Sequence, residues 1–467
     1  MNSQFKLASL TLAAAALLSA CGGGSSAASD DPPPARGAVQ LGVVASTTPV
    51  TKAQIDAGTA AKGIGALAGA AQCDVEIRYV YYSTRDPQGV VAMASTAVFV
   101  PTGTGAACSG NRPVVLYAHG TTTDQTFNMA QVDKNAEGSL VMAFYAAQGF
   151  IVVAPNYLGY DRSGLQYTTY LNAEQSAIEM VDGLRAAKTY LNADSAVKPS
   201  AKLLIAGYSQ GGHVAMATQK AIERDYASEF TVTAAAPMSG PYNLVKFGDV
   251  ITTTGPVNAG ATLFLPLMLT SYQKAYGNIY ASPSDVYQSP YDKTAETLFP
   301  TKSTITQLIQ EGKLPNDPTF TKLFGTGGLL TDSFRANYAT SNYRKALQTN
   351  TLLGWTPKAP VAMCGGSNDP TVFFFNTTDA QADFASRGKA FPASNLESAA
   401  SMQWAGATTA ATIAGGFAQA KAATSAAAGG GTAGAAAVQG AYHGTLVPPF
   451  CNALARGFFQ SVLAAQP

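Results

Sequence analysis

Residues 75–82 and 91–100 alternate apolar and polar positions and are rich in β-branched and aromatic side chains. A period of two predicts half-buried strands, and their adjacency predicts an antiparallel pair that opens a sheet. Just before them, residues 51–62 carry helical spacing with Thr51 near the cap. From Pro113 the pattern changes. Residues 114–118, 151–154, 203–206, 231–236 and 359–364 are short and almost continuously apolar. Helical patterns at 138–148 and 174–191 separate the first of these, another follows at 212–217, and residues 449–463 predict a closing helix. Continuous apolar strands separated by helices predict an α/β fold, a mostly parallel sheet covered on both faces.

Two stretches break this rhythm. Residues 241–355 interrupt the alternation with several helical patterns, many tyrosines and the apolar run Leu263-Phe264-Leu265-Pro266-Leu267-Met268-Leu269. Residues 405–440 are alanine, glycine and scattered threonine, which predicts loosely packed helix and mobile loop.

The chain has 467 residues, 47% of them hydrophobic and 12% charged, ample for a large core and too apolar for disorder. Its net charge of +1 favours neither nucleic acid nor an anionic surface. Residues 1–20 read as a leader, with Lys6 as the positive start and residues 10–18 as the apolar core. The leader ends Leu18-Ser19-Ala20-Cys21, which resembles the lipobox of bacterial lipoproteins, where the cysteine is acylated. The competing reading is an ordinary secretory signal. Gly22 after the cysteine suggests the outer membrane of a Gram-negative cell. Removing residues 1–20 takes Lys6 and no acid, so the charge falls from +1 to 0. Residues 21–50 are expected to be a flexible tether, stiffened by Pro32, Pro33 and Pro34. Besides Cys21 the chain has Cys73, Cys108, Cys364 and Cys451, an even number that suggests two disulfides in an exported protein. Neighbour pairing would give Cys73–Cys108 and Cys364–Cys451. There is no C-x-x-C and no histidine cluster, so no metal site is expected.

The candidate chemistry centres on Gly207-Tyr208-Ser209-Gln210-Gly211, set between a predicted strand and a predicted helix. Strand, G-x-S-x-G, helix is the nucleophile-elbow arrangement, which holds the serine in a strained turn at the end of a sheet. A serine hydroxyl needs a general base, and the chain has only His119, His213 and His443. His443 lies in a glycine-flanked loop before the closing helix and is the candidate; the other two are read as structural. The histidine needs a carboxylate, and Asp369 in Gly365-Gly366-Ser367-Asn368-Asp369-Pro370 follows a core strand. Asp161, Asp379 and Asp383 are its rivals. An oxyanion needs donors: the N–H of Gln210, and one from the loop His119-Gly120-Thr121-Thr122-Thr123, where Thr121 is the candidate through its N–H and its hydroxyl.

The elbow GYSQGG, the HG-T loop, the Ala154-Pro155-Asn156-Tyr157-Leu158-Gly159-Tyr160 segment, the GGSNDP loop and the YHG loop resemble α/β-hydrolases, and among them the secretory lipases of the fungal lipase-A type and similar bacterial lipoprotein esterases. The resemblance spans about residues 73–463. It implies hydrolysis of carboxylic esters by a Ser209–His443–Asp369 triad through an acyl-enzyme, with no cofactor. The expected organisation is a core of residues 51–240 and 356–467, with a helical lid at 241–355 inserted before the acid-bearing strand. Whether the natural ester is a lipid, a polyester or a small molecule is left open. Two alternatives remain: a peptidase or amidase with the same triad, and a surface lipoprotein that only binds. Asp285, Asp292, Glu296, Glu311 and Asp317 are scattered through the insertion rather than paired, unlike a site for a free amino terminus.

Overall fold

The structure, a computed structural model, describes residues 33–45 and 49–465. The predicted leader, Cys21 and half of the predicted tether lie outside the described residues. One nine-stranded sheet organises the rest: β1 (Val39–Ala45), β2 (Asp74–Arg85), β3 (Val91–Thr102), β4 (Asn111–Ala118), β5 (Ile151–Pro155), β6 (Lys198–Tyr208), β7 (Val232–Met238), β8 (Met363–Gly365) and β9 (Ala393–Asn395), in the order 1-2-3-5-4-6-7-8-9. β1, β2, β3 and β5 pair antiparallel; from β5 onward every pair is parallel.

The apolar strands are continuous because both faces of the sheet are covered. In β6, Leu203 and Ile205 pack on one side with Met180, Leu184, Val214 and Ile222, from helices Ala173–Asp194 and Gln210–Asp225. Leu204 and Ala206 pack on the other side with Phe144, Phe450, Leu454 and Phe459, from helices Ala136–Phe144 and Val447–Ala465. Residues between β7 and β8, together with Tyr170 and Leu171, build a third cluster around Leu244, Leu265, Leu269, Tyr272 and Leu347. Among the described residues no helix is long and apolar enough to cross a membrane.

Five expectations need correction. The glycine-flanked loop expected around His443 is a π-helical turn, Tyr442–Leu446, between helices Gly431–Ala441 and Val447–Ala465. The tether was expected to run to residue 50, yet Val39–Ala45 is an edge strand on β2. Backbone hydrogen bonds hold an edge strand, so it needs little side-chain pattern. The strand expected at 359–364 is reduced to Met363–Gly365, with Val361 making an isolated bridge to Ala235. The helix expected at 138–148 ends at Phe144 and is followed by a short 3₁₀ turn, Ala146–Gln148. The alanine-rich stretch, expected as loosely packed helix and mobile loop, is helical almost throughout, as Ala407–Ala427 and Gly431–Ala441. Alanine is the best helix former, and Ala410, Ile413 and Phe417 supply a narrow buried stripe at helical spacing. Gly434 lets the two helices approach, since a Cβ there would overlap the Ser425 hydroxyl.

Cys73 is bonded to Cys108 and Cys364 to Cys451. The second bridge spans 87 positions and joins the middle of β8 to the closing helix. Replacing both Cys364 and Cys451 by alanine should therefore cost about 4–5 kcal/mol of stability, the loop-closure value for that span. A melting curve checks this. The segments of Asp369 and His443 adjoin the bridge, so activity should decline below the melting temperature.

Candidate active site

β6 delivers its chain into helix Gln210–Asp225 through Ser209, whose φ of 60° and ψ of −121° are strained for any residue with a Cβ. The neighbouring glycines are steric necessities. A Cβ on Gly207 would overlap the Gly211 carbonyl, one on Gly211 the Ala118 carbonyl, and one on Gly212 the Met238 carbonyl. Strand, turn and helix can pack this closely only without those side chains, and the hydroxyl stands clear at the sheet's end.

The structure brings Ser209, Asp369 and His443 together. The Ser209 hydroxyl donates to His443 Nε2 at 2.7 Å, and His443 Nδ1–H donates to Asp369 Oδ2 at 2.6 Å. Asp369 is buried, and its other oxygen accepts the N–H groups of Thr371 and Val372 at 2.8 and 3.0 Å. One carboxylate oxygen thus fixes the loop and the other fixes the imidazole. The Tyr208 hydroxyl donates to the His443 carbonyl at 2.6 Å.

The rival aspartates are engaged elsewhere. Asp161 accepts from Tyr79 and Ser95, Asp379 meets Lys246 and Asn243, and Asp383 meets Arg387 and the N–H of Gly354. His119 is buried, with Nδ1 2.7 Å from the Gly120 carbonyl and its ring stacked on Tyr157. His213 is buried, with Nε2 2.9 Å from the Asn350 carbonyl. Burial pushes both imidazoles down to about 4, so both stay neutral at ordinary pH.

Loop 119–123 lies beside Ser209 and is braced from three directions. Tyr157 donates to the His119 carbonyl at 3.1 Å and Tyr160 to the Thr122 carbonyl at 2.8 Å, which gives the P-N-Y-L-G-Y segment a physical task. The Gly120 N–H donates to both oxygens of Glu137, 3.1 Å each, and Tyr117 donates to the same carboxylate at 2.9 Å. Desolvation pushes the Glu137 carboxyl up to about 7, although those two donors pull it down. The Thr121 hydroxyl lies 2.9 Å from the Tyr170 hydroxyl, and when Tyr170 donates, both the N–H and the hydroxyl of Thr121 are left as candidate donors.

Sequence reasoning missed Glu137 and Glu397. Glu397 accepts from Tyr442 at 2.7 Å and from Asn368 at 3.2 Å, and it pairs with Lys421. It thus ties the residue before Asp369 to the residue before His443. Against the upward push of burial, Lys421, Tyr442 and Asn368 hold its carboxyl below the ordinary range. A lone glutamate carries no pattern; the one usable signal is Tyr442 beside the candidate base. Glu397→Ala should lower kcat about 10- to 100-fold at unchanged KM for a short ester, while Glu397→Gln, still an acceptor, keeps most of it. Steady-state kinetics of both variants check this.

Two cavities open on Ser209. One runs among the helices between β7 and β8, walled by Leu244, Phe247, Ile251, Phe264, Leu265 and Met268. The apolar run 263–269 therefore serves two ends from one helix, Ala261–Tyr276: Phe264, Leu265 and Met268 face the cavity, while Leu267 and Leu269 pack in the core. The other cavity lies between helices Lys52–Ala61 and Ala136–Phe144 and the π-helical turn of His443. Among the described residues no group of three or more His, Cys, Asp or Glu side chains could hold a metal ion.

The profile of the family described as secretory lipase matches residues 125–414. Among solved structures the chain is similar to a rice cell wall degrading esterase, LipA, from Xanthomonas oryzae: 32% identity and a TM-score of 0.69, over 78% of this chain and 91% of that one. It is also similar to Candida antarctica lipase A, at 14% identity and a TM-score of 0.52, with 77% of each chain covered, a likeness of fold. A search of curated proteins finds no match.

Proposed function

This chain belongs to the secretory lipase family and is an α/β-hydrolase that cleaves carboxylic esters, and we propose that Ser209, His443 and Asp369 perform the cleavage. The reading rests on one observation, the unbroken relay of 2.7 Å and 2.6 Å from the Ser209 hydroxyl through His443 to Asp369. Ser209 Oγ attacks the ester carbonyl as its proton passes to His443 Nε2. Asp369 keeps Nδ1 protonated and stabilises the imidazolium. The oxyanion faces the N–H groups of Gln210 and Thr121. When the intermediate collapses, the bond to the alcohol oxygen breaks and Nε2 gives that oxygen the proton. Water then attacks the acyl-enzyme by the same relay and frees the acid and Ser209.

The helices of residues 241–355 act as the lid over this site and wall its acyl side. The scattered acids of that segment argue against an aminopeptidase reading. Glu296 accepts from Tyr280, Asp285 caps Ala281 and Ser282, Asp317 caps Thr321 and Lys322, and Glu311 meets Lys313. None of the five lines either cavity at Ser209. A p-nitrophenyl ester series from acetyl to palmitoyl, run beside aminoacyl amides, tests the reading. Ester turnover is expected throughout some range of acyl lengths. Faster turnover of the amides would replace the reading with a peptidase, and failure to label with a fluorophosphonate probe would remove the nucleophile.

The family and the two disulfides mark an exported protein. Its anchor is the acylated Cys21, and its location the outer membrane; the lipobox-like Leu18-Ser19-Ala20-Cys21 and Gly22 support this. Acyl chains contribute roughly 0.8 kcal/mol per buried methylene, so more than one holds a protein on a membrane. Cys21→Ala should yield a soluble, active enzyme. Retention of that variant in the membrane fraction after a high-salt wash would place the anchor elsewhere.

A further inference from the structure

The cavity among the lid helices is walled mostly by apolar side chains, but two polar groups in that wall lack a partner. Gln210 and Asn258 are buried, 2% and 3% exposed. Neither Gln210 Oε1 nor Asn258 Oδ1 accepts a hydrogen bond from the protein. Other buried side-chain atoms without a partner occur among the described residues, yet none belongs to a residue that walls either cavity at Ser209. Both orphans of this kind thus fall in one wall, where substrate enters.

The surroundings fix what each group offers. Asn258 Nδ2 donates to the Thr371 carbonyl at 2.9 Å, which settles the sense of its amide and leaves Oδ1 as the acceptor. The Thr371 N–H is bonded to Asp369, so Asn258 stands against the Asp369 loop. Gln210 follows Ser209 directly, and its side-chain amide makes no hydrogen bond among the described residues. A buried amide oxygen without a donor is costly, and a ligand that brings a donor removes the cost. An ammonium group would need a carboxylate, and no Asp or Glu walls this cavity among the described residues. An amide N–H only donates. A hydroxyl donates to either oxygen and also accepts from the Gln210 NH₂, so it matches the pair best. Its place on the substrate follows from chain geometry. Adjacent Cα atoms lie about 3.8 Å apart, so the Gln210 side chain starts beside the nucleophile. A hydroxyl that meets it sits on one of the first carbons beyond the ester carbonyl, not at the tail of a long chain.

We propose that Gln210 and Asn258 form a hydroxyl-recognising subsite at the catalytic end of the lid-side cavity, and that the enzyme prefers esters of acids of the 3-hydroxyacyl type. The inference rests on the triad and the acyl side read above. It names the acid and leaves the alcohol open.

The test compares ethyl butyrate, each enantiomer of ethyl 3-hydroxybutyrate, and 2-hydroxyethyl butyrate, whose hydroxyl lies on the alcohol. A site built to pair a substrate hydroxyl discriminates against the analogue that lacks it, so wild type should favour one hydroxybutyrate enantiomer over ethyl butyrate by about tenfold or more in kcat/KM. 2-Hydroxyethyl butyrate should show no such gain. Gln210→Met keeps the backbone N–H and loses no hydrogen bond within the protein, so it folds. It should cut the ratio of hydroxybutyrate to butyrate kcat/KM by about fivefold or more. Asn258→Leu should cut the same ratio. That variant also releases the Thr371 carbonyl, and the ratio, measured within each variant, cancels any general loss of rate. A ratio near one in wild type would overturn the subsite. So would a ratio unchanged in both variants, or an equal gain from the hydroxyl on the alcohol. In each of these cases fluorophosphonate labelling and ethyl butyrate turnover would still stand, so the triad would survive. Absence of both in wild type would overturn the triad and this subsite together.

Discussion

Ser209→Ala will lower kcat by on the order of 10⁶-fold, because members of a catalytic relay fail as a unit. The protein will fold as before. Ser209 is half-buried, the change removes one oxygen, and that oxygen's bond within the protein is to His443. A small rate above that of water will remain, supplied by the donors of Gln210 and Thr121. A companion variant separates chemistry from strain. Alanine keeps the Cβ and hence the penalty of φ 60°, ψ −121°, whereas Ser209→Gly releases it. Ser209→Gly should be equally inactive but about 1–3 kcal/mol more stable than Ser209→Ala. Kinetics and thermal melts on the pair check both parts. A folded Ser209→Ala enzyme with wild-type turnover would sink the mechanism.

Asp369→Asn will lower kcat by roughly 10⁴-fold with little loss of stability. Asparagine matches aspartate in shape. Its carbonyl oxygen can still accept the N–H groups of Thr371 and Val372, which hold the loop. Its NH₂ then faces His443 Nδ1, where Oδ2 had accepted at 2.6 Å. The imidazole must place its proton on Nε2 to accept at Nδ1, and Nε2 can then no longer take the Ser209 proton. The measurement is kcat together with the melting temperature. A large fall in both would mean that the loop collapsed, and a fall in neither would return the role to another carboxylate.

Much of this was legible in the sequence, for identifiable reasons. A nucleophile elbow demands glycines where backbones nearly touch, so Gly207, Gly211 and Gly212 announce it. The core strands were legible because burial on both faces leaves no polar option along Leu203-Leu204-Ile205-Ala206. With three histidines, the base could be chosen by position. Other parts left no trace. Val39–Ala45 and Ala393–Asn395 join the sheet at its two edges, where main-chain bonds suffice. Glu137 and Glu397 act on loops 17 and 29 positions distant, through partners that only the fold supplies. The alanine-rich stretch was misjudged because its few large residues were counted rather than placed: Ile413 and Phe417 fall on one stripe, and Phe417 meets Tyr442 and Phe450 edge-on.

The relay is assembled from chain 234 positions apart, since His443 follows Ser209 by that distance. During synthesis and export the elbow can form first, but under the proposed triad its serine has no base until His443 arrives. His443 in turn is seated by the closing helix, which Cys451 fastens to β8. Hydrolytic competence is therefore a late event in the life of each molecule. A polypeptide still crossing the membrane is chemically silent, and the cell that makes it meets the active enzyme only after that segment has been delivered, folded and oxidised on the far side.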